Sequence, residues 1–346
     1  MSALPPTRPI PEPLHVVSIG GGTGLSALLN GLKKYVPGYD GGPSSSPAVD
    51  ITAVVTVTDD GGSSGRLRRD FDVLPPGDIR NCLVALSEDE ALLSRLFQYR
   101  FQSGRGLKGH SFGNLFLTAL THITGDFPEA VKESSDVLAI KGRIFPATGQ
   151  NVMLEAVLEN GRHVIGETRI SRSRQRIDTI FLRPRRVRPL PDALEAIRRA
   201  DVITLGPGSL FTSVIPNLLV DGIAQAIRRS RAIKAYFVNL MWQPGETTNF
   251  RASDHIRAIQ HHAGGRWLDF AVLNTGAVRA SLVQRYARKH AAPVENDVDA
   301  VVAMGVDVVC ADLVQQAGVV RHNPDAIAAI TMELARKGRR RRQRSR

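Results

Sequence analysis

Two short apolar runs, each broken by a glycine-rich turn, constrain this chain more than any other feature. Leu14-His15-Val16-Val17-Ser18-Ile19 runs into Gly20-Gly21-Gly22-Thr23-Gly24, and Leu25 to Leu32 then has helical apolar spacing. Ile51-Thr52-Ala53-Val54-Val55-Thr56-Val57-Thr58 runs into Asp59-Asp60-Gly61-Gly62-Ser63-Ser64-Gly65-Arg66. Apolar β-branched runs of this length predict buried strands. Strand, glycine turn and helix form the first unit of a doubly wound nucleotide fold, with phosphate on the helix N-terminus. Glycine lets backbone N–H groups converge on an anion, Ser63 and Ser64 add short donors, and Arg66 adds a fork for phosphate. Leu25 stands where a G-x-G-x-x-G pattern needs its third glycine, so a nicotinamide dinucleotide has little support.

The same pattern recurs further along. Val202–Leu205 leads into Gly206-Pro207-Gly208-Ser209, Ile233–Val238 into Asn239-Leu240-Met241-Trp242-Gln243, and Phe270–Leu273 into Asn274-Thr275-Gly276. Helical patterns over 192–200, 216–230 and 253–263 separate them. This alternation predicts an α/β fold, a Rossmann-like doubly wound and mostly parallel sheet with helices on both faces. Ligands of such sheets sit beyond the carboxyl ends of the strands, where the topology reverses. The loops starting at 20, 59, 206, 239 and 274 are therefore expected along one edge. Residues 152–183, with a turn at Asn160-Gly161, predict a small antiparallel β-hairpin insertion with its arginines toward solvent. Residues 37–48, rich in Gly, Pro and Ser, predict a flexible loop.

Composition narrows the class. The 346 residues are 42% hydrophobic, and no uninterrupted apolar run reaches membrane-spanning length. The proline-rich start, 1–13, lacks a signal-like apolar stretch and predicts disorder. Cys82 and Cys310 have no metal-ligand spacing and are expected to be ordinary buried thiols of a reducing, cytoplasmic compartment. One domain is expected over 14–335. Of the net charge of +12, residues 336–346 supply eight positive charges and no acid, leaving +4 on the rest. That stretch predicts a disordered basic tail able to meet nucleic acid or an acidic partner. No aromatic residue interleaves its charges, which gives no support to stacking on bases.

Single residues carry two readings. Asp59 or Asp60 could hold a ligand or cap the helix starting near Ser64. Asp78-Ile79-Arg80-Asn81 predicts a capped helix start with a local ion pair. His110-Ser111-Phe112-Gly113-Asn114 precedes the apolar helix Leu115–Ile123. Three polar groups at that mouth point to ligand contact, because a buried helix start does not require them.

Read together, the segments resemble the YvcK-like gluconeogenesis factors of the CofD-like superfamily. The resemblance rests on GGGTGLSALLNGLK (20–33), ITAVVTVTDDGGSSGRLRRDFDVLPPGDIRNCLVALS (51–87), GHSFGNLFLTALTHITGDF (109–127), ADVITLGPGSLFTSVIPNLLVDGI (200–223) and VVRHNPD (319–325). It covers about 14–335 and leaves out the proline-rich start, the 37–48 loop and the arginine tail. It implies a cytoplasmic binder of UDP-sugars such as UDP-N-acetylglucosamine, linked to cell-wall synthesis, cell shape and gluconeogenic growth. The two glycine loops, the 59–66 loop, His110, Ser111, Asn114, Tyr286 and Arg321 would surround that ligand. The alternative is a Mg²⁺-dependent transferase similar to phospholactate transferase, with Asp59 and Asp60 on the cation and His110 as base. Neither Ser63 nor Ser64 has an obvious local base. Protein partners and a homo-oligomeric state are left open by the sequence.

Overall fold

A computed structural model describes residues 12–39, 48–87, 91–173 and 175–344. Seven strands form the main sheet: β1 (Leu14–Gly20), β2 (Val49–Val55), β3 (Arg143–Pro146), β7 (Val202–Leu205), β8 (Ile233–Phe237), β9 (Phe270–Asn274) and β10 (Asp307–Ala311). Between β3 and β7 the chain forms β4 (Met153–Leu158), β5 (His163–Ile165) and β6 (Ile177–Arg183), and β11 (Val314–Gln316) pairs with β12 (Val320–His322) after β10. The main sheet runs β10-β9-β8-β7-β1-β2-β3, and every pairing in it is parallel. The chain winds outward from β1 through β2 to β3, then returns to the other side of β1 as β7. The topology therefore reverses between β1 and β7, as the Rossmann-like reading requires. Parallel pairing puts all seven carboxyl ends on one edge, so the loops after β1, β2, β7, β8 and β9 share it.

β1, β2, β7 and β8 are buried along nearly their whole length, which is why their apolar runs are continuous rather than alternating. β10 is an edge strand and only partly buried along its length. Its Cys310 is consequently exposed, contrary to expectation, whereas Cys82 is buried.

The 152–183 insertion is an antiparallel sheet of order β5-β4-β6. Within the expected hairpin insertion, the chain bends after β5 at Gly166, whose φ of 100° only glycine adopts readily, and Glu167–Arg172 forms a short helix. Arg169, Arg172, Arg176, Arg183, Arg185, Arg186 and Arg188 are solvent-exposed, as predicted. The helix expected over 216–230 is divided into Ile215–Leu218 and Ile223–Arg229 by Gly222, whose φ is +81°. No single helix among the described residues is long and apolar enough to cross a membrane.

The arginine tail corrects the expectation of disorder. Residues Pro324–Arg344 form one helix, which buries Ile327, Ala328, Met332, Ala335 and Gly338. Gly338 lies against the Asp201 carbonyl, where a Cβ would fall 1.9 Å away. Arg339 then bonds the buried Asp201 carboxylate at 2.9 and 2.7 Å and the Pro13 carbonyl at 2.6 Å. The apolar stripe and this buried ion pair hold the basic segment in place. Residues 1–11, most of the 37–48 loop, and 345–346 lie outside the described residues.

Without Arg339 the buried Asp201 carboxylate keeps only the longer Arg342 contact, at 3.5 Å. Arg339→Ala is expected to lower unfolding stability by about 3 kcal/mol in urea titration. An unchanged midpoint would show that the segment is not docked through Asp201.

Candidate functional site

The reversal point is built from two glycine turns in backbone contact. Gly21 is the extended N-cap of helix Gly22–Leu32, which has no side-chain cap and no acid in its first turn. Facing it, Gly206 turns with φ +71° into Pro207-Gly208-Ser209. A Cβ on Gly24 would fall 2.4 Å from the Pro207 carbonyl oxygen, and one on Gly208 3.3 Å from the Gly21 oxygen. Only glycine permits this approach. Asn217 donates to the Gly20 carbonyl at 3.2 Å and fixes the first turn from below.

Above the turns lies a cavity of about 260 Å³, reached by residues 21–24, 207–209, 239–243, Tyr286, Arg321 and His322. Gln243 donates to Ser209 Oγ at 2.6 Å, and Asn239 donates to Gln243 at 2.8 Å. Asn239 Oδ1 is left buried without a donor. The Trp242 indole is fixed by its bond to the Phe250 carbonyl at 3.0 Å. Tyr286 accepts from the Val320 N–H at 3.1 Å. Burial pulls His322 down to about 4, so its neutral ring bridges to the Val238 carbonyl at 3.3 Å. Arg321 is exposed and forms no ion pair among the described residues. Of the expected residues, Gly21, Gly22, Thr23, Gly24, Pro207, Gly208, Ser209, Tyr286 and Arg321 thus meet at one cavity, with Gly20 and Gly206 at its base. Asn239, Trp242, Gln243 and His322 were not singled out as site residues from sequence; the first three lie in a loop at a strand's carboxyl end, and His322 lies within the VVRHNPD segment.

The 59–66 loop and residues 110–114 form a second group beside that cavity. Ser63 Oγ lies 3.0 Å from His110 Nδ1, both side chains buried. Ser63 therefore has a base after all, 47 residues away in sequence. Burial foremost, then the Arg66 charge, holds His110 below the ordinary imidazole range. Arg66 itself donates to the Lys108 carbonyl at 2.9 Å. Ser111 caps helix Phe112–Thr124, accepting from Asn114 N–H at 3.3 Å and from Arg80 at 2.7 Å. Asn114 Oδ1 is buried without a donor.

Neither Asp59 nor Asp60 caps the next helix, which starts at Gly62 with no side-chain cap. Asp59 accepts from the Gly61 N–H at 2.8 Å. Asp60 accepts from the Thr168 N–H at 2.8 Å and its hydroxyl at 2.6 Å, tying the insertion to the loop. The two carboxylates diverge, one toward Gly77 and the other toward Gly166. They do not converge on a shared cation, and no trio of ligating side chains suits a metal among the described residues.

Asp78 joins the two groups. Mostly buried, it accepts from the Gly22 N–H, and a Cβ on Gly21 would fall 2.5 Å from its Oδ2. The expected local ion pair is absent, because Arg80 turns to Ser111 and to Asn81, at 2.6 Å. Burial foremost, then neighbouring Asp59, pushes Asp78 up to about 7. Glu167, which accepts from Thr58 at 3.3 Å, is raised well above its ordinary value by burial and by Asp59 and Asp78. Burial thus favours the protonated form of two carboxyls, Asp78 and Glu167, beside the glycine turns.

The family described as 2-phospho-L-lactate transferase CofD matches residues 16–314. The gluconeogenesis factor of Halalkalibacterium halodurans is 47% identical over 92% of this chain and 96% of its own length. That of Bacillus subtilis is 45% identical over 92% and 97%. A crystal structure of a Bacillus halodurans protein superposes with a TM-score of 0.88 at 46% identity, covering 93% of this chain and all of that one.

The Asp78 carboxyl favours the folded state when protonated, since its pKa is about 7 against an ordinary 3.8. Its contribution is complete below about pH 4 and is lost as pH rises through 7, by about 4 kcal/mol at most. Asp78→Asn keeps the acceptor without the charge. Its urea midpoint should therefore gain on wild type between about pH 4 and 7 and level off above that. A gap that stays constant with pH would contradict this assignment.

Proposed function

The chain belongs to the CofD family, on its gluconeogenesis-factor branch, and from that premise we propose that it is a UDP-sugar-binding regulatory protein. The carrying observation is the pair of uncapped glycine turns opening on one cavity beside the unsatisfied Asn239 Oδ1. First-turn amides at Thr23 and Gly24 and the Gly208–Ser209 backbone suit a diphosphate. Arg321 supplies the opposing charge at the mouth, where a guanidinium can bridge phosphate oxygens. Tyr286 and Trp242 offer flat apolar faces to a sugar ring or base, and Asn239 Oδ1 offers an acceptor to a ligand N–H or O–H. The ligand class, UDP-N-acetylglucosamine or a close relative, follows from the family resemblance. So do the cytoplasmic setting and the link to cell-wall synthesis, cell shape and gluconeogenic growth.

The Ser63–His110 pair is the feature that favours the transferase alternative. Against it, Asp59 and Asp60 hold backbone and hydroxyl donors in different directions rather than presenting one cation site.

Calorimetry with UDP-N-acetylglucosamine, with and without Mg²⁺, followed by chromatography of the recovered ligand, separates the two. Metal-independent micromolar binding with intact ligand is expected. Release of UMP, UDP or free sugar would transfer the site to catalysis, and no binding would remove the proposal. Arg321→Ala is expected to weaken binding at least tenfold, about 1.4 kcal/mol. Gly24→Ala should abolish binding, because its Cβ would separate the two turns.

A further inference from the structure

The edge of the main sheet opposite the cleft concentrates positive charge. Helices Pro191–Arg199 and Ile223–Arg229 both close on Ile-Arg-Arg (197–199 and 227–229). The last turns of helix Pro324–Arg344 reach the same edge through Arg339 and Asp201. Arg199, Arg229 and Arg342 contribute to a cavity of about 780 Å³ there. A different face of the C-terminal helix, with Lys337, Arg340 and Arg344, lines a second cavity of about 760 Å³.

Two ordinary causes account for part of this charge. Cations suit helix C-termini, and some arginines are neutralised: Arg198 by Glu195 at 2.6 Å, Arg339 by Asp201 at 2.7 Å, Arg341 by Asp269 at 2.9 Å. Arg199, Arg229, Arg340 and Arg344 form no ion pair among the described residues. These four remain as outward guanidinium groups on an edge remote from the proposed ligand.

We propose that this edge binds the phosphodiester backbone of a nucleic acid, without regard to sequence. Planar guanidinium forks match phosphate oxygens in bidentate geometry. An acidic protein partner would call for an apolar anchor at the centre of its contact. The large exposed apolar side chains lie elsewhere, at positions such as Phe71, Leu92, Tyr99 and Ile123. The rings in these linings are little exposed: Phe270 is buried with Lys337 Nζ 4.3 Å over it, and the His15 imidazole is held by Asp50 at 2.9 Å. Bases thus find nothing to stack on, and the contacts available are to phosphate. This proposal does not depend on the UDP-sugar reading.

Fluorescence anisotropy of the full chain with a short labelled DNA duplex and a labelled single-stranded RNA tests it. With four free arginines engaged, the logarithm of the duplex association constant should fall against log salt with a slope of about −4. The double variant Arg199→Glu/Arg229→Glu should lower affinity at least tenfold and flatten the slope by about 2, with the folded far-UV spectrum retained. Arg340→Glu/Arg344→Glu should act likewise. No anisotropy change at low salt, or charge-reversed variants that bind as the parent does, would overturn the proposal. Equal affinity for poly-glutamate would assign the edge to an acidic protein. Binding of inorganic polyphosphate without either nucleic acid would also overturn it.

Discussion

The contact of Gly24 with the Pro207–Gly208 peptide is the constraint on which the rest of the site depends. It joins the first turn after β1 to the turn after β7, across the point where the sheet reverses. A single methyl group at position 24 would overlap the Pro207 carbonyl, so the approach is open to glycine alone. Because the turns meet backbone to backbone, both line a common cavity. The loop after β8, bonded to Ser209 through Gln243, then closes the wall.

Electrostatics at the floor follow from the same closeness. Asp78 fits beneath the turn only because Gly21 has no side chain, and it takes the Gly22 amide. An ionised carboxylate there would oppose an anionic ligand. Burial instead raises its pKa to about 7, so near neutrality much of that charge is absent. The helix N-terminus and Arg321 can then dominate the field at the cavity. The Asp59–Arg66 loop lies on the far side of Asp78, where Asp60 secures the β-insertion through Thr168. A pair of adjacent acids that suggests a cation site in sequence works here as two separate tethers.

The parts legible in sequence were those encoded locally. β1, β2, β7, β8 and β9 are buried on both faces and so leave continuous apolar runs, and the glycine turns announce the reversal point. β3 is too short to leave such a run, and β10 is half exposed. The Ser63–His110 pair escaped notice because its members lie 47 residues apart. Asp78 read as a capping residue because its burial under Gly21 is a tertiary fact. The basic tail hid its helix, since a run of arginines masks the small and apolar positions Leu334, Ala335 and Gly338 that dock it.

A crystal structure of the protein with UDP-N-acetylglucosamine tests the central claim most directly. The diphosphate is expected between the Gly22–Gly24 turn and Gly208–Ser209, with Arg321 on its oxygens and Asn239 bonded to the ligand. Density for the ligand among Asp59, Ser63 and His110, with the glycine cavity empty, would contradict it.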